Sequence, residues 1–162
     1  MSMIPDSSLV EVKIGALIMD PNTNTPIVVL KGIESETVLP IWVGAFEANA
    51  IALEIEKIVP QRPMTHDLLR NVIIECGWSA SKVIVTDLSD NTFFARIELE
   101  DRSGDAVILD ARPSDAIALA LRLDCPIFVE QNVLDLSAST TPAEPVAEDE
   151  GPPVEDWPEL ID

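Results

Sequence analysis

The period of the apolar residues changes repeatedly along this chain, and each change limits what the segment can become. In Val10-Glu11-Val12-Lys13-Ile14 apolar and polar residues alternate, as in a strand with one buried face, and Asp20-Pro21-Asn22-Thr23-Asn24 supplies turn chemistry behind it. Pro26–Leu30 and Thr37–Val43 are rich in β-branched residues and flank the polar Gly32-Ile33-Glu34-Ser35, which predicts two more strands and a three-stranded antiparallel meander. From Gly44 the period becomes helical, with Phe46, Ala50, Ile51, Leu53, Ile55 and Ile58 forming an apolar face until Pro60 stops it. A second helix is predicted from Thr65, a good N-cap, through Leu68, Leu69, Val72 and Ile73 to Gly77 as its C-cap.

Strand signals return at Val83–Leu88, Thr92–Glu100 and Ala106–Leu109, separated by Ser89-Asp90-Asn91 and Asp101-Arg102-Ser103-Gly104. Pro113 suits the first turn of a third helix, Ser114–Leu123, which ends before Pro126 and a short strand, Ile127-Phe128-Val129. The predicted order is βββαα followed by βββαβ. Ala45–Leu53 aligns with Ala111–Leu119 at a constant offset, each behind an apolar strand. Internal duplication and chance likeness between Ala-rich helices both account for that match. The expected class is α+β: two related βββα-type halves forming a mostly antiparallel, two-lobed sheet packed with three helices.

A chain of 162 residues, 47% of them hydrophobic, has room for one core, expected over residues 1–136. Beyond it the composition turns to Ser, Thr, Pro, Ala and acids without apolar period, so 137–162 is expected to be a disordered acidic tail, with Trp157 and Leu160 as a candidate docking motif for a protein partner. No basic segment followed by an apolar run opens the sequence, and no apolar run approaches the roughly 20 residues of a membrane span. A cytoplasmic protein with no membrane contact is expected. Cys76 and Cys125 stand apart in apolar surroundings, as buried reduced thiols would.

Chemistry gathers at the predicted helix starts, where free N–H groups and the positive end of the helix dipole suit phosphate or carboxylate ligands. The second helix opens with Arg62-Pro63-Met64-Thr65-His66-Asp67, the third with Asp110-Ala111-Arg112-Pro113-Ser114-Asp115, and Glu47 stands in the first turn of the first. Arg62 and Arg112 can fork a phosphate, Thr65 and Ser114 can cap or touch it, and the acids with His66 can hold a divalent cation or move a proton. The same residues also suit plain structure: Thr65 and Ser114 as caps, Asp67 and Asp115 as first-turn acids, Asp110 and Arg112 as a local ion pair. A Gly-rich phosphate loop, H-E-x-x-H, G-x-S-x-G and zinc-type Cys-His spacing are all missing, which sets aside P-loop and serine-hydrolase chemistry.

Leu39-Pro40-Ile41-Trp42-Val43-Gly44, Glu47-Ala48, Arg62-Pro63-Met64-Thr65-His66-Asp67-Leu68 and Asp110-Ala111-Arg112-Pro113-Ser114-Asp115-Ala116-Ile117-Ala118-Leu119-Ala120 together make the chain resemble the bifunctional nuclease domain family over about Leu9 to Asp135. The resemblance implies an α+β domain that self-associates, a dimer first, and a nuclease acting on DNA and RNA with a divalent cation, Mg²⁺ or Mn²⁺. On that hypothesis Glu47, Asp67, Asp110 and Asp115 are metal ligands, His66, Asp67, Asp115 and Glu47 are catalytic, and Arg62, Arg112, Thr65 and Ser114 hold the substrate. The rival is a non-catalytic oligomeric module that binds a small anion or a partner protein at the same helix starts.

Charge opposes nucleic acid as the partner. Eight acids crowd the chain beyond residue 143, yet the remainder still carries −11 of the net −19. Such a surface gains little from counterion release outside a local cationic site, and no Lys/Arg stripe interleaved with aromatics is apparent.

Overall fold

The computed structural model describes residues 8–139. Seven strands, β1 (Leu9–Met19), β2 (Pro26–Gly32), β3 (Val38–Trp42), β4 (Ser79–Ser89), β5 (Thr92–Glu100), β6 (Ala106–Ala111) and β7 (Ile127–Glu130), are joined by α1 (Ala45–Ile55), α2 (Thr65–Glu75) and α3 (Pro113–Leu123), and α4 (Gln131–Ala138) follows. The α+β class holds, with four helices where three were expected. The acidic stretch with Trp157 and Leu160 lies outside the described residues.

The expected lobes are joined into one sheet of order β3-β2-β1-β7-β4-β5-β6. The short β7 is the seam: it runs antiparallel to β1, with Val12 opposite Ile127, and parallel to β4, with Val83 opposite Ile127. All other pairings are antiparallel. Each meander therefore keeps its own local hairpins, and one four-residue strand closes the gap between them.

Strand alternation sends Phe93, Ala95, Ile97 and Leu99 of β5 into the core, together with Val28 and Leu30 of β2 and Val83 and Val85 of β4. Helix α3 lies centrally over this face, packed against β4, β5, α1 and α2. Its run of Ala116, Ile117, Ala118, Leu119 and Ala120 is buried throughout, and the small alanines let neighbouring backbones come close. Helices α1 and α2 are more peripheral than their apolar period suggested. Phe46, Ile55 and Ile58 remain exposed around α1, and Ile73 is the buried residue of α2.

Helix ends follow local chemistry. Gly77, at φ +78°, ends α2 as predicted, its N–H bonding Ile74 O while that of Trp78 bonds Ile73 O. Helix α1 stops before Pro60 is reached, because Lys57 adopts φ +56° and the same pair of bonds forms from Lys57 to Glu54 and from Ile58 to Leu53. The N-caps fall one residue before Thr65, at Met64, and two before Ser114, at Arg112, so both hydroxyl residues lie inside their helices. Cys76 is exposed at the end of α2, contrary to expectation. Cys125 is partly buried, and burial pushes its thiol up to about 11. No helix among the described residues is long and apolar enough to cross a membrane.

Candidate active site

The starts of α1, α2 and α3 converge, each contributing residues to one cleft. Glu47 is the third residue of α1, His66 the second of α2 and Asp115 the third of α3. Between them and β5–β6 lies a cleft of about 590 Å³. Ile73, Ile97, Leu109 and Leu119 form its apolar floor, and Glu47, Thr65, His66, Arg112 and Asp115 line it with polar groups.

One continuous chain of contacts joins the three starts. Arg112 Nη2 donates to Glu47 Oε1 at 2.9 Å, Arg112 Nε donates to Asp115 Oδ2 at 2.9 Å, and Asp115 Oδ1 lies 2.8 Å from His66 Nε2. Gly44 permits this arrangement locally, since a Cβ there would collide with the Glu47 carboxylate. Burial alone would raise the Asp115 carboxyl, but hydrogen bonds from His66 and Arg112 and the Arg112 charge outweigh it and hold the group below the ordinary carboxylate value of 3.8. An ionised Asp115 acts as an acceptor, so the proton between it and His66 belongs to Nε2, leaving Nδ1 as the basic nitrogen of the ring.

Asp67 resembles Asp115 in sequence yet serves another cluster. Its Oδ2 accepts the Met64 N–H at 3.0 Å and its Oδ1 accepts Arg122 Nε at 2.8 Å. The Arg122 side chain is only 2% exposed and also donates to Ala118 O and Ala50 O, both at 2.9 Å, tying α1, α2 and α3 together. Burial opposes ionisation of Asp67 too, but the Met64 N–H and Arg122 prevail and lower its pKa. Sequence reasoning missed Arg122; a single cation in the Ala-Leu run of α3 was the available signal.

The other candidates divide. Asp110 lines the cleft between Leu109 and Ala111, and its register partner on β5 is Arg96. Arg62 is exposed in the loop before α2 and does not line the cleft. Ser114 is completely buried, whereas Thr65 is exposed at the cleft wall. Of the four carboxylates, Glu47, Asp110 and Asp115 line the cleft and Asp67 does not. Among the described residues no three His, Cys, Asp or Glu side chains are grouped to hold a metal ion. Glu47, Asp67 and Asp115 are each turned onto an arginine, which does not fit a preformed divalent-cation site.

The family model for the bifunctional nuclease domain matches residues 28–142. An uncharacterised protein of Mycobacterium tuberculosis is 40% identical over 134 residues, covering 83% of this chain and 79% of that protein. Bifunctional nuclease 2 of Oryza sativa subsp. japonica is 30% identical over 102 residues, and bifunctional nuclease 1 of Arabidopsis thaliana 29% over 110; these matches cover 61% and 65% of this chain but only 31% and 34% of the plant proteins. The chain belongs to the bifunctional nuclease domain family.

Proposed function

We propose that the cleft at the three helix starts is a nuclease site that hydrolyses phosphodiester bonds in DNA or RNA. The observation that carries this reading is the contact chain Glu47–Arg112–Asp115–His66 at the mouth of an open cleft, supported by membership of the nuclease family. A carboxylate orienting a histidine is the arrangement of a general base, and an arginine beside it supplies charge for a phosphate. In the proposed step Nδ1 of His66 takes a proton from water and the water oxygen bonds to phosphorus. The P–O bond to the sugar breaks, and the departing oxygen takes up a proton returned by the imidazolium.

Arg112 is shared between two carboxylates, so the charges of Glu47, Asp115 and Arg112 sum to one negative. A phosphodiester binds by replacing Glu47 on Nη2 of Arg112, while Asp115 stays with His66. Glu47 is then a competitor for the substrate position, and Glu47→Gln is expected to lower KM.

The test is cleavage of labelled DNA and RNA by highly purified protein beside the Glu47→Gln, Arg112→Lys and Asp115→Asn variants, with and without EDTA. Retained or improved cleavage in Glu47→Gln with loss in Asp115→Asn supports the reading. Loss in Glu47→Gln together with loss on chelation would show that Glu47 and Asp115 leave Arg112 to hold a cation. Equal traces in all variants would favour a non-catalytic anion- or partner-binding module.

A further inference from the structure

The polar chain at the cleft mouth accounts for a phosphate, but it leaves the apolar interior unexplained. Ile73, Ile97 and Leu119 form the floor, and Phe46, Met64 and Leu69 stand half-exposed around it. Hydrolysis at phosphorus needs none of these groups. Asn49, one helical turn from Phe46 on α1, adds an amide that can donate and accept within the same cleft.

Charge sharpens the question. The chain carries a formal net charge of −19, and both arginines at the cleft, Arg112 and Arg122, are already matched by acids. Phosphate contacts therefore contribute little of the counterion-release affinity on which most nucleic-acid binders rely. Affinity has to come from an uncharged part of the substrate that gains by leaving water. The nucleobase is that part, and only an unpaired base offers its faces; in a duplex they are stacked and the width of the helix keeps them out of a recess of about 590 Å³.

We infer that the cleft binds one unpaired nucleobase of a single-stranded nucleic acid, stacked against Phe46 over the apolar floor, with its phosphate at Arg112 and His66. This deepens the nuclease reading and rests on it for the placement of the phosphate. The whole-chain charge then works against binding only weakly, because few phosphates are engaged and the salt dependence is shallow.

The experiment is fluorescence anisotropy of the full chain with three labelled probes: a single-stranded oligonucleotide, the same backbone with abasic sites throughout, and a duplex. The single strand is expected to bind at least 10-fold more tightly than the other two. Phe46→Ala should weaken that binding on the order of 10- to 100-fold, the ~1–3 kcal/mol of a base–aromatic stack, without lowering the melting temperature. Equal binding of base-bearing and abasic strands, an unaffected Phe46→Ala, or no binding to any probe overturns the inference. Cleavage measured on the same probes separates the two claims. Equal cleavage of abasic and base-bearing strands keeps the nuclease reading and removes the base pocket, whereas base-dependent binding without cleavage upholds the pocket and removes the catalysis.

Discussion

Removing Asp67 leaves the buried Arg122 guanidinium without its countercharge. The Arg122 side chain is 2% exposed, and its two carbonyl contacts satisfy hydrogen bonds without neutralising its charge. Breaking a buried pair from one side costs ~3–5 kcal/mol, and loss of the Met64 N–H partner at the start of α2 adds ~1 kcal/mol. Asp67→Ala should therefore remove roughly 4–6 kcal/mol, a large share of the ~5–15 kcal/mol typical of a domain. Replacing both partners, as in Asp67→Ala/Arg122→Met, should cost clearly less than Asp67→Ala alone, because no charge is stranded. Urea denaturation of the wild type, both single variants and the double variant gives the cycle directly. Additive costs, or a loss below ~1 kcal/mol in Asp67→Ala, would refute the assignment of Asp67 to a brace.

Acid should destabilise the fold through the same carboxylates. Asp67 and Asp115 have folded pKa values below the ordinary 3.8, so they bind protons less readily folded than unfolded. Their contribution is complete well above pH 3.8 and lost as pH falls through the lowered folded values, and Asp115→Asn should flatten that acid limb in a pH series of melting temperatures. Gly77→Ala should cost ~1–2 kcal/mol, since φ is +78° and the new Cβ would meet the Arg102 side chain that bonds Cys76 O at 3.1 Å; an unchanged denaturation midpoint would contradict this. In a thiol titration of native protein at pH 8, exposed Cys76 should react promptly and Cys125, at about 11, only on unfolding; two equally fast thiols would rule that out.

Strands and helices were legible wherever the apolar period or flanking breakers marked them, which is why β1 to β7 and α1 to α3 appear in the expected order. Helix α4 escaped because it is eight residues long, follows β7 without a linker and buries Val133 alone. The seam at β7 was not legible either. Pairing of Ile127 with both Val12 and Val83 joins residues far apart in sequence, and no local pattern encodes it.

The site was half legible. Helix starts were marked by Arg-Pro and by acids, but partner choice depends on a shift of two residues. Arg112 is itself the N-cap of α3 and reaches Glu47 and Asp115, whereas Arg62 lies two residues before the N-cap of α2 and stays outside. Asp67 and Asp115 are each the third residue of their helix, and their different partners follow from the packing of α3 against α1 and α2.

The most direct test of the proposed site is a side-by-side preparation of wild type and His66→Gln, assayed for cleavage of a labelled single-stranded oligonucleotide at matched purity. His66 supplies the basic nitrogen in the proposed step, and its side chain is mostly buried, 2.8 Å from Asp115. Cleavage by the wild type and its loss in a folded His66→Gln variant is the predicted result. Equal rates in the two preparations would contradict a hydrolytic role for the His66–Asp115 pair.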